Sequence, residues 1–376
     1  MSLLPEPLVP DGRTHVLWRG RRWIYFGGCD YFRMASHPAT RRAAAEASRT
    51  YGLSVGASRV TTGNLPILVE LELALARCLG APRALLTASG ALANLALAES
   101  LAGRFTHVLI DERAHPPLRD AISRMNARVW SFGHRDVAAV RTRVKRLPPE
   151  ARCLLATDGM FPLDGALAPL AEYRKCLPRG ATLWVDDCHA VGTLGATGAG
   201  SAEFWRLPSH HLIRTATLSK ALGSFGGVIL GTARDVEGVV RRSASFASTT
   251  PPPPAAAAAA LEALHLLEAD LEQRDRLRAR VRVVRAAFVA AGLAEAGADL
   301  SLGQSPIVGL VPRSTAESEQ MRRRLVAAGI FPSLIRYPGG PPGGLFRFGI
   351  SSEHTGGQIR ALTGALIGAE PSRRRR

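Results

Sequence analysis

The segment Thr215-Ala-Thr-Leu-Ser-Lys-Ala-Leu-Gly-Ser-Phe-Gly-Gly227 decides how this chain is read. An apolar β-type run, Leu212–Thr217, delivers Lys220 into a stretch of small residues and glycines. A lysine there can approach a flat ligand without obstruction, and an amine partly withdrawn from water is a nucleophile. A surface lysine in a loop would read the same way, so Lys220 needs partners. It has few rivals, because the 376 residues hold three lysines: Lys145, Lys175 and Lys220.

Upstream of this segment, short β-type runs recur at Arg83–Thr87, His107–Asp111, Arg128–Ser131, Cys153–Asp158 and Thr182–Asp187; another follows at Gly227–Leu230. Helix-length stretches near 91–102, 117–126, 136–146 and 168–177 separate most of them. This alternation predicts a mostly parallel sheet covered by helices, with ligands at the carboxyl ends of the strands. Before it come a hairpin pattern over 14–26, a helix over about 38–50, a Gly/Ser/Thr loop from Tyr51 to Asn64 and a helix over Pro66–Leu79. After it, Pro251–Pro254 opens an alanine-rich stretch, read either as a linker or as the start of a helix. The helix is favoured, because apolar periodicity continues to about 292. Residues 304–350 read as a small α/β unit, closed by a helix near 356–368. The expected organisation is an N-terminal segment 1–50, a large domain 51–265, a smaller domain 266–371 and a basic tail 372–376.

Composition excludes some classes. With 46% hydrophobic residues the chain is not wholly disordered, and no run of 18 apolar residues suggests a membrane span. The N-terminus does not read as a secretory signal. Five scattered cysteines, Cys29, Cys78, Cys153, Cys176 and Cys188, form no C-x-x-C pair. We therefore expect a reduced, cytoplasmic protein with no metal site. The net charge of +17 suits anionic partners. No nucleic-acid motif accompanies it, and outside Arg373–Arg376 the basic residues are spread along the chain, so nucleic acid is not the expected partner.

Three segments offer partners for Lys220. In Trp184-Val-Asp-Asp-Cys-His-Ala-Val-Gly192, Asp186 ends an apolar run and should emerge at the ligand edge, with His189 three residues on. A buried carboxylate there needs a cation, such as the protonated ring nitrogen of pyridoxal phosphate. An Asp capping a turn and a structural His remain alternatives. Thr87-Ala-Ser-Gly-Ala-Leu-Ala-Asn94 ends a strand and opens a helix, where backbone N–H groups can bind phosphate. His115 could stack on a flat ring or cap the next helix.

Taken together, these segments resemble the α-oxoamine synthases, pyridoxal-phosphate enzymes that include 8-amino-7-oxononanoate synthase and serine palmitoyltransferase. The resemblance covers roughly residues 23–365 and includes Cys-Asp-Tyr31, Gly56-Ala-Ser-Arg-Val-Thr-Thr-Gly63, Leu71-Glu72, Ser89-Gly90 and Asp164-Gly165. It continues through Val185-Asp-Asp-Cys-His189, Thr217-Leu-Ser-Lys220, Ser248-Thr-Thr-Pro-Pro252, and Phe346-Arg347 to His354-Thr355. It implies fold type I: a mostly parallel seven-stranded sheet with a smaller C-terminal α/β domain. It implies that Lys220 carries pyridoxal 5'-phosphate covalently, Asp186 pairs with its ring nitrogen, His189 contacts its ring hydroxyl and His115 stacks on the ring. Ser89, Gly90 and Thr217, with Ala91 beside them, would hold the phosphate, and Ser248 or Thr249 would reach in from the partner subunit of a homodimer. Arg347 would clamp the substrate carboxylate, and Arg336 resembles a second arginine of the family. The implied reaction condenses an amino acid with an acyl thioester, on coenzyme A or an acyl-carrier protein, with loss of carbon dioxide. The resemblance is greatest to the 8-amino-7-oxononanoate synthases, which implies alanine and a pimeloyl thioester. An aminotransferase or lyase, or a basic binding protein without catalysis, are the competing readings.

Several positions depart from the family pattern. Ala91 stands where an aromatic residue is usual, Pro162 replaces a serine, Leu68 a histidine and Cys29 an asparagine, and Pro116-Pro117 replaces Ala-Ser.

Overall fold

The computed structural model describes residues 5–293, 304–336 and 341–368. The expected tail 372–376, with Arg373–Arg376, lies outside them. The chain divides into two compact units. One holds Pro38–Pro162 and Leu167–Leu271; the other holds the described residues of Met1–His37, Leu163–Ala166 and Glu272–Arg376.

Val9–Asp11 (β1), His15–Trp18 (β2) and Arg21–Ile24 (β3) form an antiparallel sheet. The expected hairpin is its β2–β3 pair, which turns on Arg19 and Gly20, both at positive φ. Pro38–Tyr51 (α1) and Pro66–Cys78 (α2) follow, each opening on a proline, which the first helical turn tolerates.

Alternation then begins: Arg83–Thr87 (β4), Gly90–Leu101 (α3), His107–Asp111 (β5), Pro116–Ile122 (α4), Arg128–Phe132 (β6), Val137–Lys145 (α5), Cys153–Asp158 (β7), Leu170–Cys176 (α6), Thr182–Asp186 (β8), Ser201–Phe204 (α7), Leu212–Thr217 (β9) and Gly227–Gly231 (β10). The strands make a seven-stranded sheet ordered β4-β10-β9-β8-β7-β5-β6. β9, β8, β7, β5 and β6 run parallel, and β10 is antiparallel to both of its neighbours, β4 and β9. This is the mostly parallel sheet expected from the alternation. β7, β8 and β9 are buried at every residue, which explains why they read as continuous apolar runs rather than alternating ones.

Helix α3 is apolar nearly all round because it is covered on several sides. It lies against β9 and β10 and packs on α4, on Ala233–Arg242 (α8) and on Ala244–Ala247 (α9). Ala93, Ala96 and Ala98 permit close approach, while Leu97 and Leu101 join Ile110, Trp184, Ile213 and Ile229 in one core. Full burial of each such leucine contributes about 2 kcal/mol.

Pro254–Ala269 (α10) packs on α1 and α2, so the prolines start a helix rather than a linker. The single helix expected to about 292 is in fact two. α10 stops at Asp270, a residue that competes for backbone bonds outside helices, and Glu272–Ala290 (α11) begins beyond it. The expected boundary at 265/266 therefore lies inside α10, and the units divide at Leu271/Glu272. α4 also ends earlier than the expected 126, at Ile122.

In the other unit, Ile307–Leu310 (β11), Thr315–Ala327 (α12), Leu334–Ile335 (β12) and Leu345–Gly349 (β13) form an antiparallel sheet, ordered β11-β13-β12, and its helix. Gly356–Ile367 (α13) packs on α11 and α12. Among the described residues, no helix is long and apolar enough to cross a membrane.

Candidate active site

Parallel strands β5, β7, β8 and β9 end in Asp111, Asp158, Asp186 and Thr217, so these four residues share one edge of the sheet. Asp186 is buried and held from several directions. Its Oδ2 accepts Asn94 Nδ2–H at 2.7 Å, and its Oδ1 accepts the Cys188 backbone N–H at 3.0 Å. The Cys188 thiol also hydrogen-bonds it; burial, reinforced by the Asp186 charge, pushes that thiol well above its ordinary pKa and keeps it protonated. Behind Asn94, Thr215 Oγ1 donates to Asn94 Oδ1 at 2.5 Å and accepts Trp184 Nε1–H at 3.3 Å. Among the described residues, no lysine or arginine forms an ion pair with Asp186.

Lys220 leaves β9 in a tight turn. Gly223 N–H donates to Lys220 O at 3.0 Å, and Leu218 N–H donates to Gly226 O at 3.0 Å. The Lys220 charge acts on His115, Asp158 and Cys188, which places all four in one neighbourhood. Burial lowers the His115 pKa, with Lys220 and Arg119 acting in the same direction against Asp186. The ring is therefore neutral near pH 7. Asp158 accepts the His115 backbone N–H at 2.9 Å.

Ser89 caps α3, with its Oγ accepting Leu92 N–H at 3.2 Å. The helix start, at Gly90 and Ala91, is where N–H groups and the helix dipole favour an anion. A side chain at Gly90 would come within 3.1 Å of Thr217 Cβ and 3.3 Å of Cys188 Sγ, so Ser89, Gly90 and Thr217 do converge. The Thr217 hydroxyl is already engaged: it donates to Gly226 O at 2.9 Å and accepts Ser219 N–H at 3.2 Å. Ser219 Oγ, 3.0 Å from Thr217 Oγ1, is the exposed hydroxyl beside it. His189 is buried in the turn after β8. Ser248 and Thr249 follow α9, their hydroxyls donating to Ala244 O and Ser245 O; among the described residues no hydrogen bond joins either to Lys220.

Two quoted motifs hold the frame. Arg59 forks onto Glu72 and onto Asn64 Oδ1, and Glu72 Oε1 accepts Leu86 N–H of β4 at 2.7 Å. After β8, Asp187 accepts Ser201 Oγ–H at 2.5 Å and pairs with buried Arg214 at 3.5 Å. Leu68 is fully buried in α2, a position where an imidazole would need a polar partner. Pro116 and Pro117 occupy the first turn of α4, where N–H groups are dispensable.

In the other unit, buried Arg347 on β13 lies 3.4 Å from Cys29 Sγ through Nη2 and hydrogen-bonds Tyr31. Arg336 is exposed, 3.9 Å from Glu319.

The sequence reading missed Asn94, Thr215 and Asp158. Asn94 is the first polar side chain of an alanine-leucine helix, one turn beyond Gly90. Asp158 ends its strand just as Asp186 does.

A lysine in the turn after one parallel strand and a buried aspartate ending the next, both acting on His115, are the arrangement of a fold type I pyridoxal-phosphate protein. The comparisons agree. A family model described as aminotransferase class I and II matches residues 22–366. An 8-amino-7-oxononanoate synthase of Methylococcus capsulatus is 36% identical over 361 residues, 95% of this chain and 92% of that protein. A serine palmitoyltransferase of Sphingobacterium spiritivorum is 30% identical over 356 residues, 94% of this chain and 88% of that protein. The structure of a serine palmitoyltransferase from S. paucimobilis with a bound PLP–myriocin aldimine superposes with a TM-score of 0.88 at 27% identity, covering 96% of this chain and 92% of that one. The chain belongs to the α-oxoamine synthase family of pyridoxal-phosphate-dependent acyltransferases.

The residues present fit that cofactor. Asp186 is a buried carboxylate with neutral donors and no ion-pair partner among the described residues, the setting for a ligand cation. Gly90 leaves room at a helix start for an anion.

Proposed function

We propose that this protein condenses an amino acid with an acyl thioester, yielding an α-amino ketone, carbon dioxide and a free thiol. The convergence of Lys220, Asp186 and His115 on one sheet edge, within a full-length family match, carries this reading.

When bound, pyridoxal phosphate supplies an electron sink that stabilises negative charge at the α-carbon of the amino acid. Lys220 Nζ is the amine that would hold the cofactor's carbonyl carbon and, once displaced by substrate, take the α-proton as general base. Asp186, fixed by Asn94 and Cys188, would keep the ring nitrogen protonated. Neutral His115 would lie against the ring, and His189 would reach its hydroxyl. Ser89, Gly90 and Thr217 would take the phosphate, the Thr217 hydroxyl turning from Gly226 O to do so, with Ser248 or Thr249 of a second copy completing it in a homodimer. By the family resemblance, Arg347 would clamp the substrate carboxylate with its planar two-pronged donor, and Arg336 would be a second arginine. Positive charge would steer phosphate-bearing coenzyme A or an acidic acyl-carrier protein. Alanine and a pimeloyl thioester are the first substrates to try, and the cytoplasm is the expected compartment.

The test mixes purified protein, pyridoxal phosphate, an amino-acid panel, and acyl-CoA and acyl-carrier thioesters. Release of thiol and carbon dioxide with an amino ketone is expected. Pyridoxamine phosphate formation without thiol release would instead identify an aminotransferase. Borohydride reduction should mark Lys220 and spare Lys145 and Lys175.

A further inference from the structure

Two aspartates end adjacent strands of the sheet. Asp158 and Asp186 are register partners on parallel β7 and β8. Paired residues on neighbouring strands are about 4.8 Å apart and face the same side. Both are buried, at 2% and 3% exposure. Two carboxylates so placed, away from water, do not both ionise readily.

Their hydrogen bonds decide which one keeps the charge. Asp186 receives the Asn94 amide, the Cys188 N–H and the Cys188 thiol. Asp158 receives, among the described residues, one donor: the His115 backbone N–H at 2.9 Å. The charged and titratable groups around Asp158 are Asp186 on β8, Cys188 just after it, Asp111 on β5, Lys220 after β9 and His115 before α4. Burial raises its pKa most, Asp186 and Asp111 act in the same direction, and the His115 N–H and Lys220 oppose them.

We propose that Asp158 is held as the neutral acid and is the positioning residue for His115, so that Asp186 alone carries the negative charge beside Lys220. The inference rests on the reading of Asp186 as partner to a cationic ring nitrogen. A neutral carboxyl still offers its carbonyl oxygen to the His115 N–H. It fixes the entry to α4, where Pro116 and Pro117 have no N–H to offer, without setting a second anion against the first. The same residue type thus does two jobs on neighbouring strands, and the number of donors separates them.

Asp158→Asn tests this in the full-length protein, because asparagine keeps the carbonyl acceptor and removes the acid. The infrared difference spectrum of wild type minus Asp158→Asn, taken without cofactor at neutral pH, should show a protonated-carboxyl carbonyl band; a carboxylate band alone would overturn the proposal. Pyridoxal phosphate affinity, measured by quenching of protein fluorescence, should change less than about threefold in Asp158→Asn and fall about tenfold or more in Asp158→Ala. Equal losses in both variants would sink it. None of these readouts depends on turnover. If condensation fails while they hold, the reaction assignment falls and the role of Asp158 stands.

Discussion

Asn94 Nδ2 donates to Asp186 Oδ2 at 2.7 Å, which ties the first turns of α3 to the end of β8. The same asparagine accepts from Thr215 on β9, so one side chain joins three elements at the site. Asn94→Ala should break both bonds and leave the buried Thr215 hydroxyl proton without its acceptor, while Trp184 Nε1–H still donates to that oxygen. The expected loss is about 2–4 kcal/mol of stability, since bonds to charged groups contribute about 1.5–3 kcal/mol each and an orphaned group adds to the cost. Pyridoxal phosphate should bind about tenfold more weakly, or about 1.4 kcal/mol. Urea titration reads the first effect and cofactor titration the second. Wild-type cofactor affinity would show that Asp186 needs no such support.

Arg59 and Glu72 form a nearly buried ion pair, with side-chain exposures of 8% and 13%. Removing one partner of such a pair costs about 3–5 kcal/mol, because the other charge is left unpaired. Glu72→Gln retains an oxygen for Leu86 N–H, so it isolates the loss of charge. We expect a drop of that order for Glu72→Gln and a partial recovery in the double variant Arg59→Met/Glu72→Gln. Simple additivity in a double-mutant cycle would show that the pair does not couple.

The parts of this site that could be read in the sequence are those attached to apolar runs. Lys220 and Asp186 follow or end continuous β-type stretches, so strand alternation alone set both at one edge. Asp158 ends its strand in the same manner, but its pairing with Asp186 depends on β7 lying beside β8, which is a matter of sheet order and not of local pattern. Asn94 was hidden by a helix of alanine and leucine with no apolar stripe to orient it. Arg59 and Glu72 were visible as motif letters without a contact between them. The break at Asp270 escaped because the apolar periodicity runs on from α10 into α11.

Gly227 opens β10 opposite Thr87 and Thr217. A side chain there would run into the Ser89 carbonyl group and come within 2.6 Å of Thr87 Oγ1. Space, not backbone conformation, therefore demands glycine. Gly227→Ala should push the start of α3 away from the sheet, costing about 1–3 kcal/mol, as overpacking usually does. Because that helix start is the proposed phosphate seat, affinity for pyridoxal phosphate should fall while affinity for pyridoxal holds. Equal losses for the two ligands would place the phosphate elsewhere.

His354 lies in the other unit and should make its stability depend on pH in acid. The ring stacks on Phe26 with centroids 4.1 Å apart, and its Nε2 is 3.0 Å from Tyr25 O. A carbonyl can only accept, so Nε2 carries the proton and Nδ1 takes Ser351 N–H, at 3.0 Å. Burial lowers the pKa from 6.5 to about 3, with Arg33 adding to the effect. Between those values the unfolded chain binds a proton that the folded chain does not, so stability rises with pH across that window. The contribution is complete above about pH 6.5 and is lost as pH falls towards about 3, up to roughly 5 kcal/mol in all. His354→Gln can still bridge Ser351 and Tyr25 but cannot titrate. Its urea midpoint should therefore sit below wild type at neutral pH and converge with it as the solution is acidified. A constant gap between the two across that window would mean that His354 titrates in the folded protein much as it does in the unfolded chain.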